Sequence, residues 1–559
     1  MDGYFYFLDQ LHTAFTQVPY LCNMKYAFLC LSTLLSTTIW SQDRPKLLVG
    51  IVVDQMRADY LDRFRPLFGE DGFERLRREG AEFRFAHFNY VPTYTGPGHA
   101  SIYTGATPFH HGIISNDWYD PQLADEVYCV EDAEMQTVGA DNASGQCSPH
   151  RMRSGSLGDA LGLHTYGESK VFGISIKDRG AILPAGHSAD AAYWYDAETG
   201  HFVSSSYYGK ESLPKWLQSF NAEDRAIKSM ASHWELLHAR TAYRLMAPDE
   251  GPGERDVFEE GDASFPHTFG HLSESQKRSL IRFTPHGNKL LTDLAIALLQ
   301  EEQLGHDDVP DMLAVSYSSP DYIGHAYGPN SWEIADNYAR LDREIARLLT
   351  ALDQEVGKGN YVLFLTADHG VKPNGAVLET MNIPGGSLPS SAIEQEAKNY
   401  LQERWGDSTL LQTVFDHHLH LNHQRIVEMK LPYDEIVNDL RRHLIRHFDE
   451  VHQVFTQLDL KGFSARRSME FMVLNGMQPQ RCGDLVIELH PNFITGNHAL
   501  GTTHGSSFDY DSHVPLLFFG HSVPVMRSTE EVFVIDIAAT ISEIVGMMEP
   551  DGNIGRPLF

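Results

Sequence analysis

Five short apolar runs separated by longer, partly polar stretches constrain the fold of this chain more than any other feature. Each run is rich in Val, Ile, Leu or Phe, which is typical of strands buried on both faces of a sheet. Between the third and fourth runs, apolar residues recur every three or four positions over residues 334–356, which predicts an amphipathic helix. Strands alternating with helices indicate an α/β fold with a mostly parallel central sheet covered by helices on both faces. The runs are residues 47–53, 171–176, 312–317, 361–365 and 514–519.

Charged and metal-binding residue types follow the ends of four of these predicted strands. A single Asp after a strand commonly caps the next helix and would need no further explanation. In open α/β sheets, however, ligands bind beyond the carboxyl ends of the strands. Four strands that deliver acidic, basic and imidazole side chains to one edge therefore predict a functional site. The segments are Asp54 after the first run, 177–179 after the second, 318–325 after the third and 366–370 after the fourth.

The spacing of acids and histidines in this set is typical of metal ligands. Asp321 and His325 are four residues apart, so they can face each other across one helical turn and hold one cation. The adjacent Asp368 and His369 point in different directions and can reach two neighbouring positions. Mixed carboxylate and imidazole ligands favour Zn²⁺, whereas Mg²⁺ and Ca²⁺ prefer oxygen shells. His504, between glycines near the C-terminus, is the candidate for the further histidine that such a site needs.

Two other histidine segments are weaker candidates. His513 opens a predicted strand, so we expect it to pack or cap rather than to bind metal. Residues 416–423 contain four histidines, but no acidic partner has a suitable spacing. His418 and His420 alternate with apolar residues, as on an exposed face of a strand.

A glycine-rich bend places Thr95 close to the start of a short helical segment. The sequence Gly-Pro-Gly at residues 96–98 precedes a segment with helical character. A helix N-terminus favours a bound anion and lowers the cost of an alkoxide. Thr95 is thus a candidate nucleophile; the alternative is that its side chain simply caps the helix.

The charge balance argues against nucleic acid as a polymer partner. Lys and Arg number 44 against 75 Asp and Glu, a formal net charge of −31. No excess of cations is available to displace counterions from a polyanion. A hydrophobic content of 42% and a charged content of 21% exclude a disordered chain.

The N-terminal segment predicts export. Residues 24–42 combine a basic start, a short apolar stretch and small polar residues, as in a signal peptide, and residues 1–23 are then an upstream extension. A buried strand or helix is the alternative, and the stretch is too short for stable membrane insertion. We expect a periplasmic or secreted protein. In an oxidising compartment Cys129 and Cys147 could form a disulfide, with buried thiols as the alternative.

The motifs taken together resemble those of the alkaline phosphatase superfamily, and most closely the single-chain, threonine-nucleophile alkaline phosphatases of the PafA type. The resemblance implies an alkaline-phosphatase-like fold with one catalytic domain over residues 43–559. Insertions near 185–280 and 375–490 would form a cap, and we expect a monomer. The motifs are Asp54 and residues 92–99, 111–120, 319–325, 367–370 and 501–505.

The resemblance also implies a role for each candidate residue. One zinc ion, which activates water, would be held by Asp321, His325 and His504. The second zinc ion would be held by Asp54, Asp368 and His369, with the Oγ atom of Thr95 as a further ligand. Thr95 would attack phosphorus, and Asn116, which lies 21 residues later, would donate to a phosphoryl oxygen. Lys177 and Arg179 would bind the other oxygens.

Counting charges favours small phosphate monoesters as substrates. Three carboxylates and the Thr95 alkoxide balance two zinc ions, so Lys177 and Arg179 are left to match the dianion of a monoester. The alternatives on the same fold are a phosphodiesterase or nucleotide pyrophosphatase, or a phosphonate hydrolase. A sulfatase is a less favoured alternative. A non-enzymatic, zinc-binding exported protein is a more remote alternative.

Overall fold

The predicted apolar runs form the strands of one large sheet in the computed structural model. The structure describes residues 44–559 except 232, 245, 457–458, 460–467 and 497–499. The predicted signal peptide and upstream extension lie outside the described residues. Residues 45–559 form one compact unit.

The strands are β1 Leu47–Val53, β2 Ala81–His87, β3 Asp117–Asp120, β4 Asp125–Tyr128, β5 Thr137–Val138, β6 Val171–Ser175, β7 Ala191–Asp196, β8 His201–Ser205, β9 Asp311–Tyr317, β10 Tyr361–Thr366, β11 Gly386–Leu388, β12 Leu411–Phe415, β13 His418–Leu421, β14 Val451–Thr456, β15 Leu485–Leu489, β16 Phe493–Thr495, β17 His513–Gly520 and β18 Met526–Phe533.

The α-helices are α1 Tyr60–Arg63, α2 Phe73–Glu79, α3 Thr95–Thr104, α4 Pro108–His111, α5 Leu157–His164, α6 Asp178–Ala185, α7 Lys215–Asn221, α8 Arg225–Ser229, α9 Glu274–Leu280, α10 Pro285–Glu301, α11 Ser319–Tyr327, α12 Trp332–Leu352, α13 Gly375–Thr380, α14 Ser390–Trp405, α15 His423–Glu428, α16 Tyr433–His447, α17 Met469–Gly476, α18 Asp509–Ser512 and α19 Asp536–Val545. Short 3₁₀ helices cover Arg65–Leu67, Ser206–Tyr208, Arg240–Tyr243, Ile281–Phe283 and Ser408–Leu410, and a π turn covers Asp353–Gly357.

The central sheet has ten strands in the order β18-β2-β17-β10-β1-β9-β6-β7-β8-β5. The five strands from β10 to β7 run parallel, with β1 paired to both β9 and β10. Antiparallel pairs occur toward the two sides, where β17 joins β10 and β8 joins β7. All seven residues of β1 are buried, as are all seven of β9. The α/β class with a mostly parallel central sheet is confirmed.

The amphipathic pattern over residues 334–356 corresponds to α12 and the π turn that continues it. Ser331 caps this helix, because its Oγ accepts a hydrogen bond from the backbone N–H of Ile334 at 3.2 Å. Tyr338, Leu341, Ile345 and other apolar residues of the pattern are buried, as the spacing predicts.

A second layer of structure lies within the predicted insertion at 375–490. Strands β12, β13, β15 and β14 form an antiparallel sheet that has its own apolar cluster with α14 and α16. We call residues 386–495 the cap. Within the other predicted insertion, 185–280, strands β7 and β8 extend the central sheet, and the rest is helical turns and loops.

The expectation that His418 and His420 lie on an exposed strand face is wrong. All four residues of β13 are buried. His418 Nδ1 accepts a hydrogen bond from the backbone N–H of Gly483 at 3.0 Å, and the ring of Tyr119 packs edge-on against His420 with centroids 4.9 Å apart. Burial lowers the pKa values of the two histidines, to about 3 for His418 and about 4 for His420. Both side chains are therefore neutral and buried, and His420 packs between the cap and the hairpin β3–β4.

Cys129, Cys147 and Cys482 are buried thiols without a disulfide.

His513 packs beside His87 and Phe85, and its Nε2 lies 2.9 Å from the carbonyl oxygen of Arg84, as expected for a packing residue. Among the described helices, none combines the length and the apolar character needed to span a bilayer.

Candidate active site

Four adjacent parallel strands bring the predicted ligands to one edge of the sheet. In the order β10-β1-β9-β6 these strands point the same way, so their carboxyl ends lie side by side. Asp54 directly follows β1, and Lys177 lies two residues after β6. Helix α11, which carries Asp321, follows β9, and Asp368 comes two residues after β10.

The first cluster consists of Asp54, Asp368 and His369, all fully buried. Their candidate ligand atoms lie within 4.8 Å of one another. His369 Nε2 is 3.5 Å from Asp54 Oδ1 and 3.6 Å from Asp368 Oδ2. Within the described part of the chain, neither of these two carboxylate oxygens has a hydrogen-bond partner. Buried carboxylate oxygens of this kind are normally paired or bind a metal ion.

The second cluster consists of Asp321, His325 and His504. Asp321 and His325 face each other across one turn of α11, with Asp321 Oδ1 3.0 Å from His325 Nε2. His504 enters from the loop before α18 and places its Nε2 3.7 Å from the same oxygen. Gln55 connects the two clusters: its side-chain amide donates to Asp321 Oδ1 at 2.7 Å, and its backbone N–H donates to Asp368 Oδ1 at 3.1 Å.

The three histidines share one hydrogen-bond arrangement that fits bound cations. In each, Nδ1 lies within hydrogen-bond distance of a backbone carbonyl oxygen, so Nδ1 is the protonated nitrogen. In the neutral ring, Nε2 then carries the lone pair and faces carboxylate oxygens, so a proton or a metal ion is needed between the nitrogen and the oxygens. The residues present therefore suit a pair of divalent metal ions. The carbonyl partners of His369, His325 and His504 are Gly370, Thr502 and Thr93, at 2.9, 2.7 and 2.7 Å.

Burial shapes the ionisation of the site. Burial, together with the charges of Asp321 and Asp368, raises the pKa of Asp54 well above its ordinary value. Burial also raises the pKa of Asp368 to about 6 and lowers that of His369 to about 3. These shifts mean that the first cluster cannot carry its full negative charge without a nearby cation.

Lys177 supplies positive charge between the two clusters. Its Nζ is 2.7 Å from Asp54 Oδ2 and 2.5 Å from Asp321 Oδ2. Burial alone would lower the pKa of Lys177, but the charges of Asp321 and Asp54 outweigh it and raise the pKa above its ordinary value. The ammonium group is therefore charged at neutral pH.

Thr95 is the first residue of α3 and is 1% exposed. The cap position is Tyr94, and no side chain caps this helix, so the alternative role of Thr95 as a capping residue is excluded. Its Oγ1 lies 3.4 Å from both Lys177 Nζ and His369 Nε2. The hydroxyl thus combines the positive end of a helix with a neighbouring ammonium group, and both stabilise a developing alkoxide.

Asn116 contacts the residue that follows Thr95, and Arg179 lies two residues after Lys177. Asn116 Oδ1 accepts a hydrogen bond from the backbone N–H of Gly96 at 2.8 Å, so its Nδ2 is the atom left to donate. Arg179, in the first turn of α6, donates from Nη1 to the Tyr128 hydroxyl at 2.9 Å. Its side chain is 17% exposed, which leaves its charge little screened by water.

His99 holds the backbone of Thr95, a role that the sequence did not predict. It lies one helical turn after Thr95, and its Nδ1 is 2.9 Å from the carbonyl oxygen of Thr95. On its other side, Nε2 is 2.8 Å from the hydroxyl of Ser316 in β9. Burial lowers the pKa of His99 to about 3, so the ring is neutral. The spacing of four from Thr95 was the available signal for this role.

The cap also reaches the site, which sequence spacing could not reveal. The Tyr94 hydroxyl donates to Asp416 Oδ2 at 2.9 Å, although the two residues are 322 positions apart. Thr495 donates to the other oxygen of Asp416 at 2.7 Å. The Tyr94 ring packs edge-on against that of His504, with centroids 5.5 Å apart. A Cβ at Gly505, whose φ is +122°, would lie 2.5 Å from the Tyr94 ring, so this position requires glycine.

A cavity of about 290 Å³ lies between the cap and the nucleophile loop. Its walls come from the residue before Thr95, from a candidate ligand of the second cluster and from the cap. The lining includes Tyr94, His504, Asp416, His417, Phe493 and Thr495.

Residues 48–509 match the model of the type I phosphodiesterase / nucleotide pyrophosphatase family. The chain belongs to this family. Within it, the chain is 39% identical over 519 residues to a protein of Myroides odoratus named calcium-transporting ATPase. It is 37% identical over 516 residues to alkaline phosphatase PafA of Elizabethkingia meningoseptica. Both matches cover 92% of this chain and 94% of the relative.

The fold comparison gives the same relationship. The crystal structure of wild-type alkaline phosphatase PafA matches with a TM-score of 0.88 at 37% identity, over 92% of this chain and 98% of that chain. The predicted resemblance to the alkaline phosphatase superfamily, and to its PafA type, is confirmed.

Proposed function

We propose that this protein is an alkaline phosphatase that hydrolyses small phosphate monoesters with two zinc ions and a phospho-threonine intermediate. The observation that carries the proposal is the shared arrangement of His325, His369 and His504. Each directs Nε2 toward buried carboxylate oxygens, and Thr95 lies beside them. The likeness to alkaline phosphatase PafA supports the phosphatase class.

The two clusters would hold the ions. Asp54, Asp368 and His369 would bind one zinc ion, with Thr95 Oγ1 as a further ligand. The other cluster, Asp321, His325 and His504, would bind the second. When bound, the ions would supply positive charge that stabilises an alkoxide, a leaving oxygen and an activated water.

Thr95 would carry out the first displacement. Its Oγ1 attacks phosphorus, a new O–P bond forms, and the bond from phosphorus to the leaving oxygen breaks. Lys177, 3.4 Å from Oγ1, stabilises the negative charge on the nucleophile. In the second displacement, water attacks the phospho-threonine, releasing inorganic phosphate and restoring the Thr95 hydroxyl. Since the transition state of phosphoryl transfer is loose, positioning and charge account for most of the effect.

Asn116, Lys177 and Arg179 would recognise the transferred group. The Asn116 amide donates to one non-bridging oxygen, and the two cations match the second negative charge of a monoester. A diester carries one negative charge and has a second organic group that would need room near these cations. The monoester is therefore the better substrate.

Two further substrate classes are raised by the relatives. The family model includes phosphodiesterases, so a diesterase is the second candidate function. The name of the Myroides odoratus relative raises ATP as a substrate. Its terminal phosphate carries the same dianionic group as a monoester, and Asn116, Lys177 and Arg179 would recognise it in the same way.

We further propose that the protein is exported to the periplasm or secreted and that it acts as a monomer. The signal-peptide pattern of residues 24–42 supports export.

Trapping the covalent intermediate tests the proposal. Acid-quenched wild-type protein incubated with a labelled aryl phosphate should contain phospho-threonine at Thr95. Thr95→Ala should lose this label while keeping both metal ions, because three other ligands hold each one. Thr95→Ser, the matched control, should carry phospho-serine at the same position. Label on wild type and Thr95→Ala alike would refute Thr95 as nucleophile.

A further inference from the structure

A third group of potential metal ligands lies in the cap and shares no residue with the two active-site clusters. Glu396 belongs to α14, and His443 and His447 belong to α16. The candidate ligand atoms of these three residues lie within 4.8 Å of one another. His443 and His447 are four residues apart, so both rings project from the same face of α16.

Both rings turn a nitrogen toward the same carboxylate oxygen. His443 Nε2 is 2.6 Å and His447 Nδ1 is 3.3 Å from Glu396 Oε1. A tetrahedral zinc ion with ligands at about 2.0–2.2 Å separates its ligand atoms by roughly 3.3–3.6 Å. The second distance already has this value, and the first needs to widen by about 1 Å, which rotation of the glutamate side chain can supply.

The neighbouring side chains keep the group oriented and free of competing cations. The ring of Tyr400 stacks on His443 with centroids 4.0 Å apart, and Phe448 packs edge-on against His447. In the described part of the chain, Glu396 forms ion pairs with these two histidines and with no Lys or Arg. The side chains of Glu396, His443 and His447 are 21%, 25% and 45% exposed, so an ion can enter from solvent and keep water as a further ligand.

We propose that Glu396, His443 and His447 form a third metal site, which binds a zinc ion or a chemically similar divalent transition-metal ion. Two imidazoles and one carboxylate with an open position are a common ligand set for Zn²⁺, whereas Ca²⁺ and Mg²⁺ prefer oxygen ligands. The ion would tie α14 to α16, the two helices that share the apolar cluster of the cap. The site is independent of phosphate hydrolysis.

Comparative zinc titration tests this proposal. Wild type should take up one more equivalent of Zn²⁺ than Glu396→Gln or His447→Gln, measured by calorimetry after removal of loosely bound metal. The number of ions in the active site cancels in this comparison, so failure here is distinct from failure of the phosphatase proposal. Loss of a residue that only supports a ligand lowers metal affinity about 10- to 100-fold, and loss of a ligand should lower it at least as much.

His306→Gln is the matched control. His306 is 41% exposed and lies 3.9 Å from Glu355, so it offers a similar histidine–glutamate pair without a second histidine. This variant should bind zinc as wild type does. All variants should hydrolyse an aryl phosphate at the wild-type rate, which shows that they are folded.

Copper supplies a second signature. With Cu²⁺ as probe, the additional equivalent in wild type should show electron paramagnetic resonance coupling to two nitrogens, and this signal should be missing from His447→Gln. Equal uptake by wild type and the ligand variants, or a signal without nitrogen coupling, would overturn the proposal.

Discussion

Replacing Arg179 with alanine should separate recognition of the phosphoryl group from metal binding. The Arg179 guanidinium contacts Tyr128 and lies 3.9 Å from Asp178, and neither residue belongs to a metal cluster. Metal content should therefore stay at the wild-type level. Lys177 is a less selective target because it also touches Asp54 and Asp321.

The expected loss follows from the environment of the guanidinium. Because its side chain is 17% exposed, water in the variant would stabilise a bound phosphoryl group much less than the guanidinium charge does. A hydrogen bond to a charged group contributes about 1.5–3 kcal/mol. Through the transition-state relation, this corresponds to a loss of about 10- to 150-fold in kcat/KM for a monoester. Because a diester lacks the second negative charge, its hydrolysis should fall much less.

The assay compares an aryl phosphate with its methyl diester for wild type, Arg179→Ala and Arg179→Lys, with metal content measured in parallel. Tyr128→Phe is the control that keeps the guanidinium charge but removes the hydroxyl that orients it, and it should lose less. If Arg179→Ala lowered monoester and diester rates equally, the arginine would be structural, and the charge argument for monoesters would fail.

Four further predictions follow from the sequence and the structure. Chelation should abolish hydrolysis and Zn²⁺ should restore it better than Mg²⁺; full activity in metal-free protein would contradict the two-ion site. Tyr94→Phe or Asp416→Asn should change KM and the dependence of rate on the leaving group, with little change in metal content, because the hydrogen bond between these residues lines the cavity beside Thr95. Unchanged kinetics would show that the cap takes no part in the reaction. Burial lowers the pKa of His267, but hydrogen bonds to Glu260 and Glu333 outweigh it and raise the pKa to about 9. The stabilisation from protonated His267 is thus present below about pH 6.5 and is lost as pH rises through 9. Denaturant unfolding should show that the free energy of unfolding of wild type falls over this range, and that the fall is missing in His267→Asn. N-terminal sequencing of exported protein should find a start near residues 41–43 rather than at Met1 or Met24.

The sequence was most informative where charged or metal-binding residue types directly follow a buried strand. The apolar runs predicted the bounds of β1, β6, β9, β10 and β17 to within about one residue, because strands buried on both faces need continuous apolar sequence. The residues after them then had to lie at one edge, since parallel neighbours share a direction. This reasoning grouped Asp54, Lys177, Asp321 and Asp368 before their distances were known.

Features that depend on packing between distant segments were not predictable from the sequence. The sequence around Asp416 does not indicate a hydrogen bond to Tyr94, because this pairing depends on how the cap folds over the sheet. His418 and His420 alternate with apolar residues as in a half-exposed strand, yet both are buried, and Tyr119 of the hairpin β3–β4 packs on His420. Alternation of polar and apolar residues indicates that the two faces of a strand differ, but it does not indicate that one face is exposed to solvent.

The second cluster joins two residues of α11 to His504, which lies beyond the cap in sequence. An ion bound there closes a long loop of the chain, in the way a cross-link would, and stabilises the folded state in proportion to the logarithm of its free concentration. Zinc supply would therefore set the lifetime of the protein as well as its catalytic rate. In a zinc-poor medium, a proteolytic enzyme would meet an opened chain more often, so the amount of this phosphatase would fall together with the activity of each molecule.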